Sequence, residues 1–111
     1  MQWHPLTSEE QLQHLKDESK EAPIVIFKHS TACSISSTAK SRLERQWHDA
    51  GLDFIKPYYL DLLAYRPVSN QIANEFGIRH ESPQLLLIRD GACVYDASHL
   101  NIRLDDLKKR L

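Results

Sequence analysis

The sequence predicts a single α/β domain, residues 1–111, in which a mixed four-stranded sheet carries helices on both of its faces. Three observations predict this fold class. The chain of 111 residues is too short for two ordinary hydrophobic cores. The short runs Ile24–Phe27 and Leu85–Ile88 are continuously apolar, which is typical of strands covered on both faces. Around these runs lie longer segments whose apolar residues recur at the spacing of a helix.

The N-terminal part of the chain predicts one helix followed by the first strand. Thr7 and Glu10 have the spacing of a capping box, and Leu12 and Leu15 share one face of the helix that follows. The run Ile24–Phe27 shows no polar alternation, so we expect this first strand to lie inside the sheet.

The middle of the chain predicts a helix, a strand and another helix. The segment 34–50 carries apolar residues at steps of four, and Gly51 ends the helix; these residues are Ile35, Ala39, Leu43 and Trp47. The strand Phe54–Asp61 contains Pro57, which favours an edge position or a bulge. The next helix opens with proline in its first turn, at Arg66–Pro67, and its buried stripe consists of Val68, Ile72 and Phe76.

The C-terminal part predicts two antiparallel strands and a last helix. Asp90–Gly91 is a strong hairpin signal between the strands Gln84–Arg89 and Ala92–Ala97. Asn101 is expected to cap a helix with three leucines on one face, Leu104, Leu107 and Leu111. With the first strand–helix–strand unit parallel and right-handed, the order of helices and strands is αβαβαββα. This order resembles that of the thioredoxin fold.

Composition and charge exclude several classes of function. The net charge of −1 gives no electrostatic reason to expect nucleic acid or an anionic membrane as a partner. No apolar run approaches the roughly 20 residues that span a bilayer, and the segment Met1–Pro5 lacks the pattern of a secretory signal. Two cysteines cannot build a disulfide scaffold. We therefore expect a reducing, cytoplasmic location, in which a catalytic cysteine is more plausible than a structural bridge.

Cys33 is the candidate nucleophile because it follows an apolar strand and precedes a helix. Unpaired backbone N–H groups and the positive end of a helix dipole favour the thiolate at such a junction. The competing interpretation is a buried, inert cysteine. Ser36 occupies the position where a dithiol protein carries its second cysteine, about one turn from the thiol. Its hydroxyl is able to donate to the sulfur, or it serves only as an ordinary first-turn serine.

Other polar residues receive weaker predictions. Cys93 is expected to be a small core residue in the last strand rather than a resolving partner for Cys33. The six histidines show no paired ligand spacing, so no metal site is expected. Lys28 and His29 either make the electrostatic potential near the thiol more positive or are solvated at a strand end. Glu81 either meets the amine of a thiol cofactor or is simply an exposed surface residue, and the second interpretation is favoured.

Three stretches carry a closer resemblance to a known family: His29–Ser36, Phe76–Gln84 and Asp96–His99. They resemble the YtxJ-type bacilliredoxin-like family of small monothiol proteins with a thioredoxin fold, which are linked to bacillithiol. The resemblance implies an oxidoreductase that removes a low-molecular-weight thiol from mixed disulfides on proteins. It also implies no tightly bound cofactor, with bacillithiol or a similar small thiol as co-substrate and S-thiolated proteins as partners. Family members often carry proline where this chain has Ser34.

The resemblance also assigns roles around the thiol. Pro83 is the candidate cis-proline that faces the active cysteine, and Ser82 before it offers backbone N–H and C=O groups to an extended thiol substrate. Thr31 and Ala32 flank the thiol and are expected to border the binding surface. Because Ser36 cannot form a disulfide, an external thiol would have to resolve the adduct on Cys33.

Two functions of other classes stay open at this point. One is iron–sulfur carriage, in which two single-cysteine chains share a cluster with two external small thiols. The other is a thioredoxin-like interaction module without catalysis. Slow alkylation of Cys33 at pH 7 would favour the interaction module over an enzyme. A brown protein after anaerobic purification would favour iron–sulfur carriage.

Overall fold

The computed structural model describes residues 1–111 and contains a five-stranded sheet with four α-helices. The strands are β1 (His4–Pro5), β2 (Ile24–His29), β3 (Lys56–Asp61), β4 (Gln84–Arg89) and β5 (Ala92–Ser98). The helices are α1 (Glu9–Glu18), α2 (Ser34–Gln46), α3 (Arg66–Phe76) and α4 (Leu104–Lys108), with a short 3-10 helix at His99–Asn101. The predicted α/β class and the order of its main elements are confirmed.

The sheet has the strand order β1-β3-β2-β4-β5 and is mixed. β1, β3 and β2 run parallel to one another, whereas β4 is antiparallel to both β2 and β5. The predicted count of four strands is wrong by one, because β1 has two residues and is too short to produce a sequence pattern. Since β1 pairs only with Tyr58 and Tyr59, Pro57 lies where β3 has no neighbour on that side.

Two hydrophobic clusters cover the two faces of the sheet. Val25 and Phe27 of β2 face the first cluster, to which α2 and α4 contribute Leu43 and Leu107. The alternate residues of β2 face a second cluster with the apolar stripes of α1 and α3. Helices therefore cover both faces of β2, which explains its continuous apolar run. None of the helices combines the length and the apolar character that crossing a membrane requires.

The first helix begins one residue later than its pattern suggests. The cap is Ser8, and the capping box joins Ser8 to Gln11 rather than Thr7 to Glu10. The side-chain oxygen of Gln11 accepts hydrogen bonds from the backbone N–H groups of Thr7 and Ser8, at 2.7 and 3.1 Å. The single side-chain oxygen of Gln11 thus satisfies two backbone donors at once.

Two other local predictions are corrected at helix ends. Ile35 was expected on the buried stripe of α2, but it is 47% exposed, and the buried face of the helix begins at Ser36. Asn101 belongs to the 3-10 helix, so the cap of α4 is Arg103, and Leu111 lies exposed after the helix. By contrast Gly77 ends α3 in the left-handed conformation, with φ of 63°, which glycine adopts readily.

Candidate thiol site

Cys33 caps the N-terminus of α2 at the end of the sheet where β2 finishes. Its backbone N–H donates to the Ser30 carbonyl and its carbonyl accepts from the Ser37 N–H, both at 3.1 Å. The first turn of α2 has no acidic residue and no side-chain cap. Its backbone donors therefore point at the region of the half-buried thiol, which is a favourable environment for negative charge.

Ser36 is fully buried beneath the segment Ser30–Cys33, which we name the thiol loop, in the helical position that faces the sheet. Its Oγ accepts a hydrogen bond from the Ser30 N–H at 3.1 Å and lies 2.5 Å from Nδ1 of His29. The hydroxyl has no other acceptor, so its proton satisfies Nδ1. Ser36 thus ties the thiol loop to the end of β2, and the alternative in which its hydroxyl donates to the Cys33 sulfur is not the one observed.

His29 and Lys28 are buried, so the alternative that they are solvated at a strand end is wrong. The His29 ring lies between Phe27 and Tyr59, with ring centroids 5.9 and 5.5 Å away. Burial, helped by the positive charge of Lys40, lowers the pKa of His29. A neutral imidazole follows at neutral pH, and it serves as the acceptor for Ser36.

Cys93 lies far from Cys33, at the opposite end of the sheet. It pairs with Ile88, which pairs in turn with Ile24 at the start of β2, whereas Cys33 follows the end of β2. The length of β2 alone amounts to roughly 16 Å, well beyond the 7 Å limit for a disulfide. Burial raises the pKa of the Cys93 thiol to about 11, and its side chain packs against the core as predicted.

Ser82 and Pro83 lie at the same end of the sheet as Cys33, because Gln84 at the start of β4 pairs with Lys28 near the end of β2. The Ser82–Pro83 peptide bond is cis, in agreement with the expectation from the resemblance. The Ser82 hydroxyl is buried and has no hydrogen-bond partner. Thr31 and Ala32 are exposed and precede Cys33 directly.

An open cleft of about 130 Å³ begins at Ser34, the residue after Cys33, and lies between the first two turns of α2 and the 3-10 helix. Its lining consists of Ser34, Ile35, Thr38, Ala39, Arg42, His99 and Leu100. Arg42 has no carboxylate partner. His99 adopts a left-handed backbone with φ of 55°, and its N–H donates to the Pro83 carbonyl at 3.0 Å.

Sequence reasoning did not identify Arg42 and His99 as site residues. A signal for Arg42 is present, since Thr38 and Arg42 follow Ser34 at steps of four and so lie on the helix face beside the thiol. His99 is brought to the cleft only by the tertiary structure. No group of three or more His, Cys, Asp or Glu side chains is arranged to hold a metal ion. Arg42 and His99 give the cleft side chains that can bind a small polar or anionic ligand.

Solved structures with the same fold cover almost all of the chain. A protein described as a proposed oxidoreductase with a thioredoxin fold is 27% identical, with a TM-score of 0.82, covering 96% of this chain and 90% of that chain. The thioredoxin of Fasciola hepatica is 16% identical, with a TM-score of 0.72 and coverage of 96% and 93%. The oxidised thioredoxin of Plasmodium falciparum is 11% identical, with a TM-score of 0.74 and coverage of 99% and 100%. These likenesses show the thioredoxin fold.

A family model described as Monothiol bacilliredoxin BrxC matches residues 4–107, which is nearly the whole chain. The match includes the thiol loop, the cis-proline and the cleft. Together with the fold, it supports a thiol redox function for the chain. The chain therefore belongs to the monothiol bacilliredoxin BrxC family.

Proposed function

We propose that this protein is a thiol–disulfide oxidoreductase that removes a low-molecular-weight thiol from mixed disulfides on proteins. The observation that carries the proposal is the arrangement of thiols. Cys33 is the N-terminal cap residue of α2, where no side chain accepts a capping hydrogen bond. Ser36 occupies the second position of the motif, and Cys93 lies at the far end of the sheet. Such a site can form a mixed disulfide but has no internal thiol to resolve it.

In the first step the Cys33 thiolate attacks the sulfur of the small thiol in the mixed disulfide. The bond between that sulfur and the protein substrate breaks, and the substrate leaves as its reduced thiolate. A new disulfide now joins Cys33 to the small thiol. No net oxidation occurs in this exchange, because one disulfide is broken and one is formed.

In the second step an external thiol, either a second molecule of the small thiol or another redox protein, attacks the adduct. The sulfur of the adduct leaves in a new disulfide with that external thiol, and Cys33 returns to its reduced state. The external thiol supplies the electrons. We place the reaction in a reducing cytoplasm, where a pool of small thiol is available.

The two sides of the thiol suit the two halves of a mixed disulfide. On one side the backbone of Ser82 offers hydrogen-bonding groups to an extended protein segment, with Thr31 and Ala32 at its border. On the other side the cleft presents the guanidinium of Arg42, which is suited to a carboxylate of the small thiol. We infer that bacillithiol or a similar anionic thiol occupies this cleft.

A mixed-disulfide assay tests the proposal. A bacillithiolated model protein is incubated with the wild type and with Cys33→Ser, and adducts are identified by intact mass. We expect substrate reduction and a small-thiol adduct on Cys33 for the wild type and neither for Cys33→Ser. Cys93→Ser is the matched control and is expected to transfer like the wild type. Equal thiol release by the wild type and Cys33→Ser would show that the proposed mechanism is wrong.

The same samples distinguish the two alternatives. Slow alkylation of Cys33 at neutral pH, at the rate of a free peptide cysteine, would support an interaction module without catalysis. A coloured protein after anaerobic purification would support iron–sulfur carriage. Oxidoreductase activity predicts a colourless protein whose Cys33 reacts faster than a peptide thiol.

A further inference from the structure

Lys28 is a fully buried cation at the end of β2 with no carboxylate partner. Its Nζ donates to the carbonyl of Ser69 at 3.4 Å and to Nδ1 of His80 at 3.3 Å. Burial lowers the pKa of Lys28 to about 8. A buried ammonium without a counter-ion costs free energy that an apolar side chain of the same length would not. The amine therefore calls for an explanation beyond packing.

The partner of the ammonium belongs to the segment Arg79–Pro83, which we name the docking loop because it ends in Ser82 and the cis-proline. His80 is exposed on its outer side, and its Nδ1 accepts from Lys28 and from the Ser69 hydroxyl, which is 3.3 Å away. Gln84, the cross-strand neighbour of Lys28, donates through Nε2 to the Arg79 carbonyl at 3.0 Å. Two fully buried side chains on adjacent strands thus hold the docking loop.

The charges around His80 favour its neutral form. Partial burial and the positive charges of Lys28 and Arg66 lower the pKa of His80, and Glu81 acts in the opposite direction. His29, on the same strand as Lys28, faces the opposite side of the sheet. Only neutral His80 has a lone pair on Nδ1 that can accept from an ammonium.

We propose that Lys28 is a positioning residue for thiol exchange, whose buried ammonium holds His80 and thereby fixes the docking loop where Ser82 meets the protein substrate. The inference rests on the proposed function, because a fixed docking loop matters only if a thiolated substrate binds there. Lys28 itself does not touch the reacting sulfur atoms.

A dependence on pH follows from this arrangement. Protonation of His80 removes the acceptor lone pair and places a second positive charge against Lys28. The hydrogen bond between Lys28 and His80 is therefore lost in acid. We expect the KM of the wild type for a thiolated protein to rise as the pH falls into the acidic range where His80 gains its proton, since the pKa of His80 is lowered. In Lys28→Met this rise is expected to disappear.

The test compares Lys28→Met with the wild type in two independent measurements. In the transfer assay with a bacillithiolated model protein, we expect KM to increase by roughly tenfold while kcat stays within about twofold, because a charged hydrogen bond is lost without change to the thiol. By hydrogen exchange, the amides of the docking loop are expected to exchange roughly tenfold faster, while the amides of β2 and β4 exchange no faster than in the wild type.

Two further variants sharpen the result. Lys16→Met is the matched control, since Lys16 pairs with Glu75 away from the site, and it is expected to behave like the wild type. His80→Phe removes the acceptor while keeping a ring. We expect His80→Phe, Lys28→Met and the double variant to share the same KM within about twofold, because each breaks the same contact.

The outcomes separate the inference from the proposed function. If the wild type transfers no thiol, the proposed function fails, and the exchange rates of the docking loop still decide whether Lys28 holds it. Unchanged KM and unchanged loop exchange in Lys28→Met would overturn the positioning role. Faster exchange throughout β2 and β4 would also overturn it, because the lysine would then be a general structural residue.

Discussion

Ser36 replaces the second thiol of a dithiol motif with a hydroxyl that the fold buries completely. Its oxygen accepts a hydrogen bond from the Ser30 N–H and its proton meets Nδ1 of His29, so one side chain satisfies a group of the thiol loop and a group of β2. The residue therefore has a structural reason to be a serine. A thiol in the same place would be a poorer partner for both groups, because sulfur is a weak donor and a weak acceptor.

Ser36→Ala is the residue-scale prediction. The variant leaves the Ser30 N–H and the His29 ring without a partner in a buried place, so we expect the free energy of unfolding to fall by about 1–3 kcal/mol. Urea unfolding followed by circular dichroism measures the change. Ser37→Ala, one position along on the exposed face, is the control and is expected to stay within about 0.5 kcal/mol of the wild type. Equal stability of the two variants would contradict the role of the hydroxyl.

At the scale of elements, β2 combines an apolar body with two buried polar residues at its C-terminal end. Lys28 faces α3 on one side of the sheet, and His29 faces Phe27 and Tyr59 on the other. Lys28 thus contacts His80 of the docking loop, and His29 contacts Ser36 beneath the thiol loop. The alternation of a strand makes this division automatic, since successive side chains point to opposite faces.

Lys28→Met is the element-scale prediction, and it concerns stability. The pKa of Lys28 is about 8 in the folded protein and near 10.4 when unfolded, so the unfolded state binds more protons between these values. The wild type therefore gains stability as the pH rises through this window. At neutral pH we expect Lys28→Met to be more stable by about 3 kcal/mol, an advantage that shrinks towards about pH 10.

Urea unfolding at a series of pH values measures this effect. The difference between the wild type and Lys28→Met cancels the titration of Cys93, which falls in the same range with the opposite sign because its pKa is raised. A difference that does not change with pH would contradict the buried charge. We therefore expect Lys28→Met to have a higher free energy of unfolding than the wild type, while the amides of its docking loop exchange faster.

At the scale of the whole molecule, the sheet keeps the two cysteines apart. Cys33 lies at the end of the sheet with the docking loop and the cleft, and Cys93 lies at the other end among apolar side chains. Under the proposed function, this separation means that an external thiol has to resolve the adduct on Cys33. Cys93 is also less reactive as a nucleophile, because burial raises the pKa of its thiol to about 11 and keeps it protonated.

Oxidation with diamide in the presence of glutathione tests this separation. We expect one glutathione on the native protein, attached to Cys33, and no internal disulfide, since the thiols are too far apart to meet. Intact mass and peptide mapping identify the product. Cys93→Ser is expected to give the same adduct and Cys33→Ser none in the native state. An internal disulfide between Cys33 and Cys93 would contradict the topology.

Much of the fold follows from local patterns. The apolar runs in β2 and β4 predict buried strands, the Asp90–Gly91 turn predicts their hairpin partner, and Gly77 predicts the end of α3. The placement of Cys33 between a strand and a helix is local in the same sense. β1 escaped prediction because a strand of two residues is defined only by its pairing with β3.

The sequence by itself determined which thiol stands at the helix start, that serine takes the place of a second thiol, and that the chain folds as an α/β domain. These properties depend on neighbours along the chain. Only the tertiary structure decided that Ser36, His29 and Lys28 are buried, because polar residues are normally exposed and their burial requires partners from distant segments. The same long-range packing brings His80 to Lys28 and places the docking loop at the end of the sheet where Cys33 lies.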